Sequence, residues 1–187
     1  MTEIADDALR QGDLVGVDYF PSWDLEKASV LTSPSGVVSQ LLPTAPRVLQ
    51  DGGGQFIAAV CSYDCDLENP RSRTGVALAP LMPIPAAPRD ERYSAIRGSA
   101  FPDEENRLSY FQLFPVELQP GLGARVDVGV VDFSQLMHLA PSERVVRELS
   151  TRVLQRMSDE MRDAFQFKLA AHFGRGGQIG DDADVVQ

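Results

Sequence analysis

From Val145 to Phe173 an apolar side chain returns at every fourth position: Val145, Leu149, Val153, Met157, Met161, Phe165, Leu169 and Phe173. An α-helix turns about 100° per residue, so each such step overshoots a full turn by about 40°. Carried through the whole series, the stripe would wind most of the way round one helix, and no single flat partner could bury it. A break resolves the conflict. Ser158, followed by Asp159, is suited to cap a new helix. The spacing therefore predicts two helices, over about 142–157 and 159–173, the second ended by Gly174, Gly176 and Gly177.

Ahead of the helices the periodicity is that of strands. Residues 1–10 read as a frayed helical lead-in. Asp13 to Phe20 alternates, with Val15, Val17 and Tyr19 on one face, and Pro21 is expected to end that strand. Ala28–Thr32 and Val37–Leu42 flank the turn Ser33-Pro34-Ser35-Gly36 as one hairpin. Arg47–Gln50 and Gln55–Cys61 flank Asp51-Gly52-Gly53-Gly54 as a second, where glycine takes positive φ without cost. Gln55–Cys61 and Thr74–Leu81 are nearly continuous in apolar residues, as central strands are. Pro80, Pro83, Pro85 and Pro88 make the following segment extended. It reads as a surface loop, because neither half of the chain has enough strands to close a core alone. A short helix is expected within 89–106, and Leu108–Leu118 and Arg125–Phe133 add two more strands.

The expected fold is α+β: a small, curved antiparallel sheet or SH3-like β-barrel with a C-terminal helical pair packed on it. One domain spans residues 1–178, and the acidic stretch 179–187 is expected to be a disordered tail.

Charge narrows the function. Against 17 Lys and Arg stand 27 Asp and Glu, a net charge of −10. Binding to nucleic acid rests on neutralising phosphates with a basic patch, which this balance disfavours. The arginines from Arg144 to Arg175 are interleaved with Glu143, Glu148, Asp159, Glu160 and Asp163, the pattern of a solvated helix face. A basic protein partner suits the charge better, and a homo-oligomer is compatible with it. No apolar run approaches the roughly 20 residues of a membrane span. The N-terminus carries acids where a signal peptide has a basic region, so a cytoplasmic setting is expected.

Both cysteines fall in Cys61-Ser62-Tyr63-Asp64-Cys65-Asp66. Four readings compete. Structural zinc wants four ligands, and only the distant His138 and His172 could complete the set. A disulfide across the turn is disfavoured in the cytoplasm. A catalytic thiolate at Cys65 would be suppressed by Asp64 and Asp66 unless Arg71 and Arg73 fold back. The favoured reading is architectural: Cys61 and Cys65 are small buried side chains, and the Asp66 carboxylate caps the turn. Elsewhere, Gly52-Gly53-Gly54 precedes a strand and does not suit phosphate binding. His138 reads as a core or half-buried histidine and His172 as a cation near a helix C-terminus. Trp23 is either a core plug or a binding anchor. Neither a metal nor a cofactor is expected.

Gln11-Gly12-Asp13-Leu14-Val15, together with AAVCSYDCDLEN and GVALAPL, resembles the PemK/MazF-type toxin barrels. More specifically, the chain is similar to small bacterial proteins with a QGDxV…SxxCD(L/I)…VAP pattern, found in mobile or defence-associated gene neighbourhoods. The resemblance touches about a third of the chain. It implies a barrel and a bacterial conflict-system role, of toxin–antitoxin or phage-defence type. The toxins' catalytic arginine precedes the second strand, where this chain has Gly54-Gln55, and their threonine falls where it has Met82. Fold can therefore be shared without the activity. The expected function is a non-catalytic binding or regulatory component acting through Trp23, Tyr63, Asp64, Arg71 and Arg73. The alternatives are a ribonuclease with a rearranged site using Asp66, Arg71 and Arg73, and a cysteine-dependent hydrolase using Cys65.

Overall fold

The two apolar runs lie side by side as β4 (Phe56–Val60) and β5 (Val76–Pro83), antiparallel, with Ala59 opposite Ala79. Their continuity in sequence follows from burial on both faces. Phe56, Ala58 and Val60 join one core layer, while Ile57, Ala59 and Cys61 join the other. The computed structural model describes residues 8–24, 27–32, 48–69, 75–84, 87–100, 110–122 and 126–174.

Around this pair is a seven-stranded antiparallel sheet. β1 (Leu14–Val17) pairs with β4, and β9 (Val153–Gln155) pairs with β1. On the other side of β5, β7 (Val128–Asp132) pairs at one end and β8 (Met137–Leu139) at the other. β6 (Leu113–Glu117) pairs with β7. The excursion between β7 and β8 is held by the buried Asp132. Its Oδ1 accepts from the Ser134 N–H at 2.9 Å and hydroxyl at 2.6 Å, and its Oδ2 from the Gln135 amide at 2.8 Å.

The sheet does not close into a barrel, so of the two expected architectures the SH3-like barrel is set aside and the α+β antiparallel sheet stands. Among the described residues no ladder joins the terminal strands β6 and β9. They nevertheless approach within the reach of one side chain, because the Gln155 amide bonds the Glu117 carbonyl and the Gln119 N–H.

The period-four stripe is broken twice. α3 (Glu143–Ser150), capped by Ser142, stops well short of 157. The Ser150 and Thr151 hydroxyls donate back to the Arg147 and Glu148 carbonyls, both at 2.8 Å, and the chain then runs as β9 along β1. Val153 keeps the helical phase of the stripe, but an open strand edge offers its backbone a ladder, and β-branching favours that conformation. The expected helical pair is thus two helices with a strand between them. α4 (Asp159–Gly174) begins where expected, with the Ser158 hydroxyl accepting from the Met161 N–H at 3.3 Å.

α3 covers one face of the sheet through Val145, Val146 and Leu149. α4 covers the other, with Phe165 edge-on to Phe114 and Phe133, ring centres 5.1 and 5.2 Å away. α2 (Glu91–Gly98), capped by Asp90, sets Ile96 over Leu113 and Val130.

Two hairpin expectations fare differently. Of the glycine-rich one the turn is present: Asp51 Oδ1 accepts from the Gly53 and Gln55 N–H groups, both at 2.9 Å, and Gly54 has φ 84°. Its expected first arm is not a strand: Arg47 lies outside the described residues, and of residues 48–50 Gln50 makes a single bridge to Phe56. The other is reassigned. Pro21 does not end the first strand but lies within β2 (Tyr19–Asp24), which pairs with β3 (Lys27–Thr32) in a separate two-stranded sheet. Proline is tolerated in such a ribbon because an outer edge needs no donor. Val37–Leu42, the expected partner of β3, and the tail 179–187 lie outside the described residues. Of the expected lead-in, residues 1–7 lie outside the described residues; residues 8–10 are not helical and run into a turn at Gln11-Gly12.

Candidate functional site

β4 leaves the sheet at Cys61, and the segment beyond it meets the turn that starts β1. Gln11, fully buried, donates its N–H to Asp64 Oδ1 at 2.7 Å and its side-chain amide to the Cys61 carbonyl at 2.8 Å. Gly12 donates to the Val60 carbonyl at 2.8 Å. Gly12 has φ 89°, and a Cβ there would stand 3.2 Å from Met157 Sδ, so both conformation and space favour glycine. The two halves of the resemblance pattern, Gln11-Gly12-Asp13 and Cys61 to Asp66, thus form one polar junction.

Each residue of the cysteine segment has a local task. Cys61 is buried, its thiol 3.6 Å from the Ala59 carbonyl, and burial pushes its pKa up, away from a thiolate. Ser62 extends the ladder by one rung: its Oγ accepts from the Ala77 N–H at 2.8 Å and donates to the Gly75 carbonyl at 3.3 Å. Tyr63 is exposed and precedes the short helix α1 (Asp64–Glu68), which anchors through the buried Leu67. Two expectations are corrected. Cys65 is exposed, not buried, because it lies on the outer side of α1. The carboxylate that ties the segment down is that of Asp64, reaching Gln11, whereas α1 has no side-chain N-cap bond.

Neither histidine is placed at Cys65. His172 packs among Phe111, Phe133 and Phe173, ring centres 5.6, 5.9 and 5.2 Å away. His138 is exposed on β8, not part of the core, because the alternation of that short strand turns Met137 inward. Arg71 and Arg73 lie outside the described residues. The arginines that reach the junction come instead from the C-terminal region. Arg162 stands 3.7 Å from Asp64, and Arg156 acts on the buried Asp13. Asp13 Oδ2 accepts from the Arg10 N–H at 2.9 Å, yet burial raises its pKa against the pull of Arg156 and Arg10. The mixed-charge pattern of the C-terminal third gave no sign of this convergence. Among the described residues no group of three or more His, Cys, Asp or Glu side chains could hold a metal ion.

Lys168 was also not singled out by sequence. It is buried, donating to the Ser99 carbonyl at 2.8 Å and hydroxyl at 2.7 Å, and burial lowers its pKa to about 8. This ties α4 to the end of α2. At the two positions that depart from the toxin pattern, Gln55 donates to Asp18 at 3.0 Å and the Met82 thioether faces the Gln135 amide at 3.8 Å.

Among the described residues, two of several concavities lie against the sheet. One, of about 160 Å³, has an apolar floor of Val17, Met137, Leu139, Val145 and Leu149. The half-exposed Tyr19 stands at its lip, and Arg152, paired at 2.7 Å with both Asp18 and Glu148, forms its rim. The hydrogen bond to Arg152 holds Asp18 below the usual carboxylate range. The ribbon β2–β3, which carries Trp23 opposite Ala28, begins at this lip. The second, about 300 Å³, lies in the seam between β6 and β9 under Met157 and Met161. No protein family, curated protein or solved structure matches the chain. No helix among the described residues is long and apolar enough to cross a membrane.

Proposed function

We propose that this chain is a non-catalytic binding or regulatory module that acts by protein–protein contact through the groove beside Tyr19. The observation that carries the reading is the groove itself: an apolar floor, an exposed aromatic lip and an ordered ionic rim, the composition of a contact centre surrounded by polar groups. The neighbouring two-stranded ribbon adds support. Such a ribbon is marginal alone in water and gains from a partner. With a net charge of −10, the partner that fits is a basic protein, met in the cytoplasm. The resemblance to PemK/MazF-type proteins suggests the setting, a bacterial toxin–antitoxin or phage-defence system.

The cysteine segment supports this reading by being occupied with structure. Its buried thiol, its hydroxyl and the Asp64 carboxylate all serve backbone contacts. The test is to purify the protein with its native partner and titrate that partner against wild type and Tyr19→Ala. A loss of about tenfold or more in affinity, characteristic of a central anchor, is the expected result. Unchanged affinity would remove the groove from the account. Turnover of RNA or an ester by the purified chain, lost in Cys65→Ala, would replace the account with an enzyme.

A further inference from the structure

Helix α4 is apolar along its inner side and, beyond Asp163, on its outer side as well. Its inner side buries Phe165 and Leu169 against the sheet. Glu160, Asp163, Phe167, Ala170 and Gly174 are all exposed, and Phe173, about 120° round the helix from Phe167, lies at the edge of this face. The first five recur at alternating intervals of three and four, the spacing at which one helix forms a seam with another. Phe167 and Phe173 are each 57% exposed. A helix with one buried face normally carries charge at such positions, as α3 does at Glu143, Arg144, Arg147 and Glu148.

Charge along the seam is graded, and the grading selects the occupant. Asp159, Glu160 and Asp163 lie toward the N-terminus, and Phe167, Ala170 and Phe173 toward the C-terminus. A second copy running antiparallel would lay its acids over the phenylalanines and the carbonyl end of the helix, where anions are disfavoured. A parallel copy would set acid against acid, and the net charge of −10 adds further repulsion. The acidic tail of this chain is excluded by the same argument. A helix that is apolar at one end and basic at the other meets both halves.

We propose that the outer face of α4 docks an amphipathic helix of a protein partner. Its apolar side chains lie on Phe167 and Ala170, with Phe173 at the edge of the contact, and its lysines or arginines lie beside Asp159, Glu160 and Asp163. This surface is on the opposite side of the sheet from the Tyr19 groove and does not depend on it.

The experiment is fluorescence anisotropy of three labelled peptides on the full chain. One is a model helix with leucines at three–four spacing and a lysine cluster at one end. The second replaces the lysines by glutamate, and the third replaces the leucines by serine. Only the first is expected to bind, and Phe167→Glu is expected to weaken it by about tenfold or more, as does Ala170→Arg. Phe167→Glu makes the protein more acidic, so diffuse attraction would strengthen and cannot mimic that loss. Absence of binding, equal binding of the serine peptide, or an unchanged affinity in Phe167→Glu overturns the proposal. So does a dimer, seen by sedimentation, that Phe167→Glu dissolves, because it assigns the face to a second copy.

Discussion

The side-chain amide of Gln155 bonds the backbone carbonyl of Glu117, its Nε2 donating at 2.8 Å across the gap between the two end strands of the sheet. Its Oε1 accepts from the Gln119 N–H at 2.9 Å, so one amide takes the place of the missing ladder. Each bond is solvated and contributes modestly. Gln155→Ala is expected to cost about 1–2 kcal/mol in urea unfolding. It should also speed amide exchange at Gln119 while leaving β4 and β5 protected. Unchanged exchange at Gln119 would show that the seam is held by packing alone.

The two cysteines should separate cleanly. Cys61→Ser puts a hydroxyl where the thiol is buried near the Ala59 carbonyl, and is expected to destabilise by about 1–3 kcal/mol. Cys65→Ser, on the exposed side of α1, is expected to fall within about 0.5 kcal/mol of wild type. Chemical denaturation of both variants checks the pair, and equal costs would contradict the assigned environments.

Lys168 makes stability rise on the alkaline side. Burial lowers its folded pKa from 10.5 to about 8, so between those values the unfolded chain binds the extra proton. Stability therefore increases as pH climbs through that window, and the penalty is fully present below it. Lys168→Met, which keeps the apolar stem, is expected to abolish that increment in thermal melts recorded from neutral to alkaline pH. An unchanged slope would show that Lys168 is not desolvated in solution.

Asp13 acts in the acid range with the opposite sense. Its folded pKa is raised from 3.8, so as pH climbs above the unfolded value the folded state holds the proton longer. Stability is lost as pH rises through this window and does not return at neutral pH. Asp13→Asn keeps an acceptor for the Arg10 N–H, and its advantage over wild type is expected to grow from acid toward neutral pH. A constant difference would contradict the burial penalty.

How much of this could be read from the chain depends on how local each cause is. β4 and β5 were legible because burial on both faces leaves an uninterrupted apolar run. The Asp51 turn and the Ser158 cap were legible because each is set within a few residues. β9 was not. Val153 fits the helical stripe as well as Leu149 does, and only the open edge of β1, far away in sequence, draws it into a strand. Pro21 misled for a related reason, since whether proline ends a strand depends on which edge it occupies. The site followed the same rule. The motifs around Gln11 and Asp64 were visible separately, but their bond spans 53 residues, and Arg156 and Arg162 reach the junction from the far end of the chain.

Action by contact at Tyr19, with the cysteine segment as scaffold, is tested most directly by titrating one purified partner against Tyr19→Ala and Cys65→Ala side by side. The expected result is a loss of about tenfold or more for Tyr19→Ala, with Cys65→Ala matching wild type. A folded Cys65→Ala protein that no longer binds, beside a Tyr19→Ala protein that binds normally, would contradict it.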